Sequence, residues 1–465
     1  MVISGLMVIA CFVALYFNEY SWSAFLISAL ISFITGSLCF FFNPVKFNTP
    51  VTIRDSFLII LVVWFCIPVF SMLPFYIASP LIYFSDALFE SFAGFTTTGF
   101  SNLPKYEGAH KAIILWRSII QWLGGMGILI FLIALFPISK TGELKIFFSD
   151  IQDVEYSPLH SRIANTARRL WTVYIIFTFI GIIALILAGL NWFEALCLAF
   201  SSVSTGGGVP YSGDISHLSI TVKSIVGFLM LIAGANYFFI FQAFIKKKAL
   251  KNEEFIFYVL LFVAVSSILV LFFSFTEKLS FVLIFETIFN SISFISTTGF
   301  YSNSAFNANY TFIWFIMFFL LFIGSSTGST GGGVNVYRIV VLIKHTSNYF
   351  KSIIHPNAIF STKLNNKVVD NTAIARIFAF FVLYIIVFFA GAFLLSLFGL
   401  AFNNAVGICA SSLSNTGPGV FLINGYSNIS QFDIFAKFTI ILLMVIGRLE
   451  IFPFLLILSK SFWKP

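Results

Sequence analysis

The sequence predicts an all-α polytopic membrane protein, and three observations carry that expectation. Its 465 residues are 59% hydrophobic and only 9% charged, where a soluble domain carries about 25% charged residues. Apolar runs of about 20 residues, the length that crosses a bilayer, follow one another with little chain left over for a soluble domain. One short polar, glycine-containing stretch also returns four times, each time behind an apolar run too short to cross. The copies are Thr96-Thr97-Thr98-Gly99-Phe100, Val203-Ser204-Thr205-Gly206-Gly207, Ser296-Thr297-Thr298-Gly299-Phe300 and Ser414-Asn415-Thr416-Gly417-Pro418.

The chain opens with an apolar hairpin, residues 1–17 and 22–42, broken at Asn18-Glu19-Tyr20. Met1–Phe17 has neither a basic leading region nor a small-residue cleavage site and is read as a retained helix. From about residue 55 one unit recurs: long helix, short helix, polar turn, second long helix. Unit one is expected at Ser56–Ile77, Asp86–Phe95 and His110–Pro137, and unit two at Leu170–Leu190, Asn191–Val203 and Ile220–Phe244. Unit three follows at Phe255–Phe275, Ser280–Ile295 and Thr311–Ile343, and unit four at Ala373–Leu397, Asn403–Leu413 and Gln431–Ser459. The chain thus divides into a hairpin, 1–45, and four units, 46–140, 141–250, 251–345 and 346–465.

The short helices carry start signals. Asn191 with Glu194 fits a capping box, and Asp86 and Asn403 are good N-cap types. Aimed with their C-terminal ends at a common axis, four such helices each present about half a negative charge and favour a cation there. Irregular backbone at bilayer depth survives only where it lines water or is buried in protein. Four polar turns in register therefore read as a ring of backbone carbonyls replacing the hydration shell of a cation.

The charges set topology. With the N-terminus inside, 19 of the 26 Lys and Arg residues fall in inner connections, as the positive-inside rule requires. Six lie outside (Lys105, Lys111, Arg117, Lys223, Lys278 and Lys437), and Arg448 lies within the membrane. This distribution argues against a nucleic-acid partner despite the net charge of +8. The basic connections Ser139–Arg169, Lys246–Glu254 and Lys344–Asn371 read as solvated loops or as a docking face for an acidic or nucleotide-binding partner. Five scattered cysteines read as buried small hydrophobes. No H-E-x-x-H, P-loop lysine or G-x-S-x-G elbow occurs, so the sequence does not read as an enzyme.

Two features break the apolar pattern. Gly324-Ser325-Ser326-Thr327-Gly328-Ser329-Thr330-Gly331-Gly332-Gly333 interrupts Thr311–Ile343, a run that would be about 50 Å long as one helix in a hydrocarbon core of about 30 Å. It reads as a movable loop beneath the carbonyl ring, or as a small-residue packing surface. Milder counterparts stand at Gly124-Gly125-Met126-Gly127, Gly234-Ala235-Asn236 and Gly447. Arg448, central in Phe438–Leu458, must face water, carbonyls or an acid. Its candidate surroundings are Glu450 or another helix on one reading, and the pore or the Gly-Ser loop on the other.

These motifs, with Arg117–Ile128 (R-S-I-I-Q-W-L-G-G-M-G-I), Gly328–Gly333 and Gly447–Pro453 (G-R-L-E-I-F-P), make the chain resemble the Trk/Ktr superfamily of potassium-translocating proteins over essentially its whole length. The extra hairpin makes it similar to the Trk branch (TrkH/TrkG) more than the Ktr branch. The resemblance implies four helix–pore helix–helix units around one pore and potassium as the substrate, taken up across a bacterial inner membrane. It also implies a homodimer, a TrkA-type cytoplasmic ring that binds the regulatory nucleotide, and no organic cofactor in this chain. It assigns the filter to Thr97, Thr98, Gly99 and Phe100; Ser204, Thr205, Gly206 and Gly207; Thr297, Thr298, Gly299 and Phe300; and Asn415, Thr416, Gly417 and Pro418. The filter glycines map to Gly99, Gly206, Gly299 and Gly417, and Gly208 stands where relatives often carry a larger residue. The gate maps to Gly324–Gly333, with Arg448 packed near it. Other readings kept open are a Ktr-like sodium-coupled subunit, symport in place of channel-like conduction, and a non-conducting scaffold or receptor.

Overall fold

The computed structural model describes residues 1–42, 53–78, 83–101, 110–134, 159–210, 215–240, 252–276, 280–302, 311–417 and 429–463. Pro418, Lys105, Lys278 and the greater part of the first two basic connections lie outside them. Helices α1 (Val2–Tyr16) and α2 (Trp22–Phe42) form the expected hairpin. Its turn does more than break the run. The Glu19 carboxylate accepts from the backbone N–H groups of Lys111 and Ala112, at the start of the second membrane helix of unit one. A carboxylate placed there satisfies orphan donors and meets the positive end of the helix dipole, so the hairpin is tied to the first unit.

The four units follow in order. Unit one is α3 (Ile53–Ser71) with α4 (Leu73–Ala78), α5 (Phe84–Phe95) and α6 (Lys111–Ala134). Unit two is α7 (Leu159–Leu187), α8 (Trp192–Val203) and α9 (Ile220–Ala233). Unit three is α10 (Glu253–Thr276), α11 (Phe281–Ile295) and α12 (Thr311–Ile323), continued after a loop by α13 (Val336–Ile354). Unit four is α14 (Asn371–Leu397), α15 (Phe402–Leu413) and α16 (Ile434–Arg448), continued by α17 (Phe452–Leu458) and α18 (Lys460–Trp463). Among the described residues five helices are long and apolar enough to cross a membrane, or six with α16 and α17 taken as one span bent by 113°. The second helices of units two and three are too short after their breaks to count.

Packing closes these units into a ring. The second helix of each unit lies on the short helix of the next: α6 on α8, α9 on α11, α12 on α15, and α16 back on α5. Every short helix is therefore held by its own unit and by the one before it. Their caps differ from expectation in part. Asn191 accepts from the Glu194 N–H as predicted, and Ser280 caps α11 in the same way. Asp86 and Asn403 instead lie inside α5 and α15, whose N-cap positions are Tyr83 and Ala401. Asp86 is drawn into the protein by a buried lysine described below.

The third connection, read from sequence as a solvated loop or docking face, contains a small β-hairpin, β1 (Lys363–Leu364) with β2 (Lys367–Val368). Asn365 and Asn366 supply its turn at φ 48° and 62°, the left-handed pair that a tight hairpin needs. The hairpin docks on the start of α10: the Glu253 N–H donates to Asn365 Oδ1, and the Asn365 N–H returns to Glu253 Oε2. Lys344 on α13 donates to the same carboxylate.

Candidate ion pathway

Each short helix ends in the same way, and that end fixes the register of the four polar stretches. After the cap residue (Thr96, Ser204, Ser296, Ser414) comes one in the left-handed region: Thr97, Thr205, Thr297 and Asn415, at φ 53–57°. Their N–H groups bond back to Gly94, Ser202, Phe294 and Ser412, and the next N–H groups reach Ala93, Ser201, Ser293 and Ser411. This is the Schellman pattern, which normally calls for glycine at the left-handed position. A β-branched threonine there is a genuine backbone outlier, and such strain persists only where surrounding structure imposes it, commonly at functional sites.

Two residues on, the chain returns to positive φ at Gly99 (81°), Gly207 (64°), Gly299 (81°) and Gly417 (88°). The second copy is thus shifted by one from the sequence alignment: Gly207, not Gly206, is the counterpart of Gly99. The same four glycines close a circle. A Cβ on Gly99 would collide with the Gly206 carbonyl oxygen, on Gly207 with that of Thr298, on Gly299 with that of Thr416, and on Gly417 with that of Thr98. Glycine is required because each copy's backbone lies against its neighbour's carbonyl. Gly206 therefore occupies the place of Thr98, Thr298 and Thr416, and Gly208 that of Phe100 and Phe300. Their described residues are buried apart from half-buried Gly207, and the pore-helix dipoles end on them.

Charged side chains missed by the sequence reading brace this ring from behind. Lys437 on α16 pairs with Asp86 on α5 at 2.6 Å, and Lys223 on α9 with Glu286 on α11 at 3.1 Å. These two buried bridges join unit four to unit one and unit two to unit three. Arg117 on α6 pairs with Glu90 on α5 at 2.8 Å and donates to the Gly99 carbonyl oxygen at 2.8 Å. From sequence the three cations are assigned to the outer side of the membrane without partners; each is about 5% exposed. A signal for two of the acids exists in the sequence. Asp86, Glu194, Glu286 and Asn404 each precede the positive-φ glycine of the ring by 13 residues once Gly207 is used.

The Gly-Ser stretch breaks unit three as predicted and crosses beneath the ring, where it is densely bonded. The Gly332 N–H donates to Thr297 Oγ1, Thr330 Oγ1 donates to the Val203 and Ala233 carbonyls, and a Cβ on Gly332 would strike the Ser414 carbonyl oxygen. Ser325, Ser326, Ser329 and Thr330 are buried, and the Thr327 N–H donates to buried Glu254. One loop thereby touches the start of three of the four polar stretches.

Arg448 is 2% exposed, and its partners come from both readings, the Gly-Ser loop and another helix. Its guanidinium donates to the Thr330 carbonyl at 2.7 Å and to the Gly124 carbonyl at 3.3 Å. It does not pair with Glu450, which bonds Arg338 at 2.7 Å and accepts from Asn335. The reason is local. Glu450 and Ile451 both take positive φ, 56° and 58°, and the resulting bend turns Glu450 away toward α13. Arg448 therefore clamps the loop to the second helix of unit one, while Arg338 and Glu450 tie the broken second helices of units three and four together.

Comparison with known proteins agrees with this architecture. A family described as TrkH, cation transport protein, matches residues 22–464. The chain is 30% identical over 470 residues to the Trk system potassium uptake protein TrkH of Escherichia coli (strain K12), covering 99% of this chain and 96% of that protein. It is 29% identical to the Trk system potassium uptake protein TrkG of the same organism, covering 97% and 94%. The crystal structure of the potassium transporter TrkH from Vibrio parahaemolyticus superposes with a TM-score of 0.90 at 28% identity, covering all of this chain and 97% of that one. With four helix–pore helix–helix units closed around one pore, this chain belongs to the TrkH family of cation transport proteins.

Proposed function

We propose that this chain is the membrane subunit of a bacterial potassium uptake system, and that potassium passes through the ring at Thr98–Gly99, Gly206–Gly207, Thr298–Gly299 and Thr416–Gly417. The observation that carries this reading is the closure of four Schellman-ended pore helices, each filter glycine lying against the next copy's carbonyl. Such a ring exchanges water for carbonyl oxygens around a bare cation. The loop Gly324–Gly333 is the gate, held shut by the clamp from Arg448. Support for potassium comes from relatives named as Trk system potassium uptake proteins. The chain works as a homodimer in the inner membrane with its N-terminus cytoplasmic, and a TrkA-type nucleotide-binding ring acts on the basic connections. The hairpin α1–α2 favours this Trk-type reading over a Ktr-like sodium-coupled subunit. Growth on low potassium of a strain lacking its own uptake systems tests the proposal. Expression of this chain with its partner should restore growth, and failure of the inserted protein to restore it contradicts the reading.

A further inference from the structure

The second filter stretch lacks a brace that the other three share. In unit one Thr96 Oγ1 and Thr98 Oγ1 bond at 2.8 Å, as do Ser296 Oγ and Thr298 Oγ1, and Ser414 Oγ and Thr416 Oγ1. Each pair ties the cap residue to the residue whose carbonyl faces the ring. In unit two that residue is Gly206, which has no side chain to offer. The space it leaves is filled from another unit. Gln121, fully buried on α6, donates Nε2–H to the Gly206 carbonyl oxygen at 3.1 Å. A Cβ on Gly206 would lie 2.9 Å from Gln121 Cδ, and one on Gly208 would lie 2.7 Å from both of its amide heteroatoms. Gly206 and Gly208 are therefore complementary in shape to the one glutamine.

We infer that Gln121 is a positioning residue for ion discrimination: its amide replaces the missing hydroxyl pair and holds the Gly206 carbonyl at the ring. This inference rests on the filter reading proposed above. A carbonyl anchored by a donor cannot close freely around a smaller ion, whereas an unanchored one follows it inward. The second position of the ring is thus set from unit one, and the filter is not four equivalent segments.

The test is a cycle of variants assayed for the ratio of potassium to sodium uptake in proteoliposomes. Gln121→Met keeps the volume and removes the donor, and should lower discrimination about five- to tenfold, the worth of one hydrogen bond. Gly206→Thr should lose uptake, because its side chain meets Gln121. Gln121→Ala with Gly206→Thr makes room for a hydroxyl pair between Ser204 and the introduced threonine, and should recover both uptake and selectivity relative to Gly206→Thr alone. Parental selectivity in Gln121→Met overturns the inference, as does a double variant no better than Gly206→Thr. Gly299→Ser, assayed beside them, separates the two claims. If it relaxes selectivity while Gln121→Met does not, the positioning role falls and the filter stands. If neither changes selectivity, the filter reading itself fails.

Discussion

The short helices and the second membrane helices are each present four times, but they have diverged to different degrees. The short helices are close copies, 12, 12, 15 and 12 residues long, ending in one backbone pattern. The second helices share little beyond their place in the ring. That of unit one runs on past Gly124, and that of unit two stops at Ala233. That of unit three opens into the Gly-Ser loop, and that of unit four bends by 113° after Arg448. Under the proposed function, selecting an ion needs oxygens on all sides of it, which would keep the four copies alike. Closing a pore needs one obstruction and something to hold it, which on that proposal a single unit and a single arginine supply.

Breaking the repeated frame should give the largest effect. Lys437→Met takes the cation away from buried Asp86, at a cost of about 3–5 kcal/mol. The midpoint of thermal unfolding in detergent should drop sharply, and Lys437→Met with Asp86→Leu should recover most of it. A single variant as stable as the parent would show that the bridge does not brace the ring. Removing the obstruction comes next. Deleting Ser325–Gly331 should raise potassium flux about tenfold or more, equivalent to about 1.4 kcal/mol of barrier, and should weaken control by the partner. A deletion protein that inserts normally and conducts no better than the parent makes the loop structural. Loosening the clamp is smaller. Arg448→Gln should raise flux about fivefold, as one hydrogen bond to Thr330 weakens, with stability little changed. A fall in stability without a gain in flux would contradict the clamp.

Much of this was legible in the sequence, because repetition and hydropathy are local signals. The short helices fall within two residues of their predicted bounds, and the Gly-Ser break lies where a helix of that length could not fit. The register of the second stretch was not legible from its glycines, since Gly206, Gly207 and Gly208 are interchangeable in a one-letter alignment. Aligning instead on the hydroxyl that caps each helix, Thr96, Ser204, Ser296 and Ser414, would have found it. The partners of Arg117, Lys223 and Lys437 were hidden for another reason. For Lys437 and Asp86 the pairing spans 351 residues, and side chains that distant meet only after the ring has closed. The separation of Arg448 from Glu450 depends on two residues in left-handed backbone, one of them β-branched Ile451, which local propensity argues against.

The central claim, a closed ring in which Gly207 stands with Gly99, Gly299 and Gly417, is tested most directly by comparing Gly207→Ala with Gly206→Ala. Potassium and sodium uptake into proteoliposomes is the measurement. At Gly207 the new Cβ meets the Thr298 carbonyl oxygen and the backbone is at φ 64°, so discrimination between the ions should collapse. At Gly206 the nearest atoms to the Cβ belong to the Gln121 side chain and not to a neighbouring carbonyl, so the loss should be partial. Parental selectivity in Gly207→Ala, with collapse in Gly206→Ala, would contradict the account.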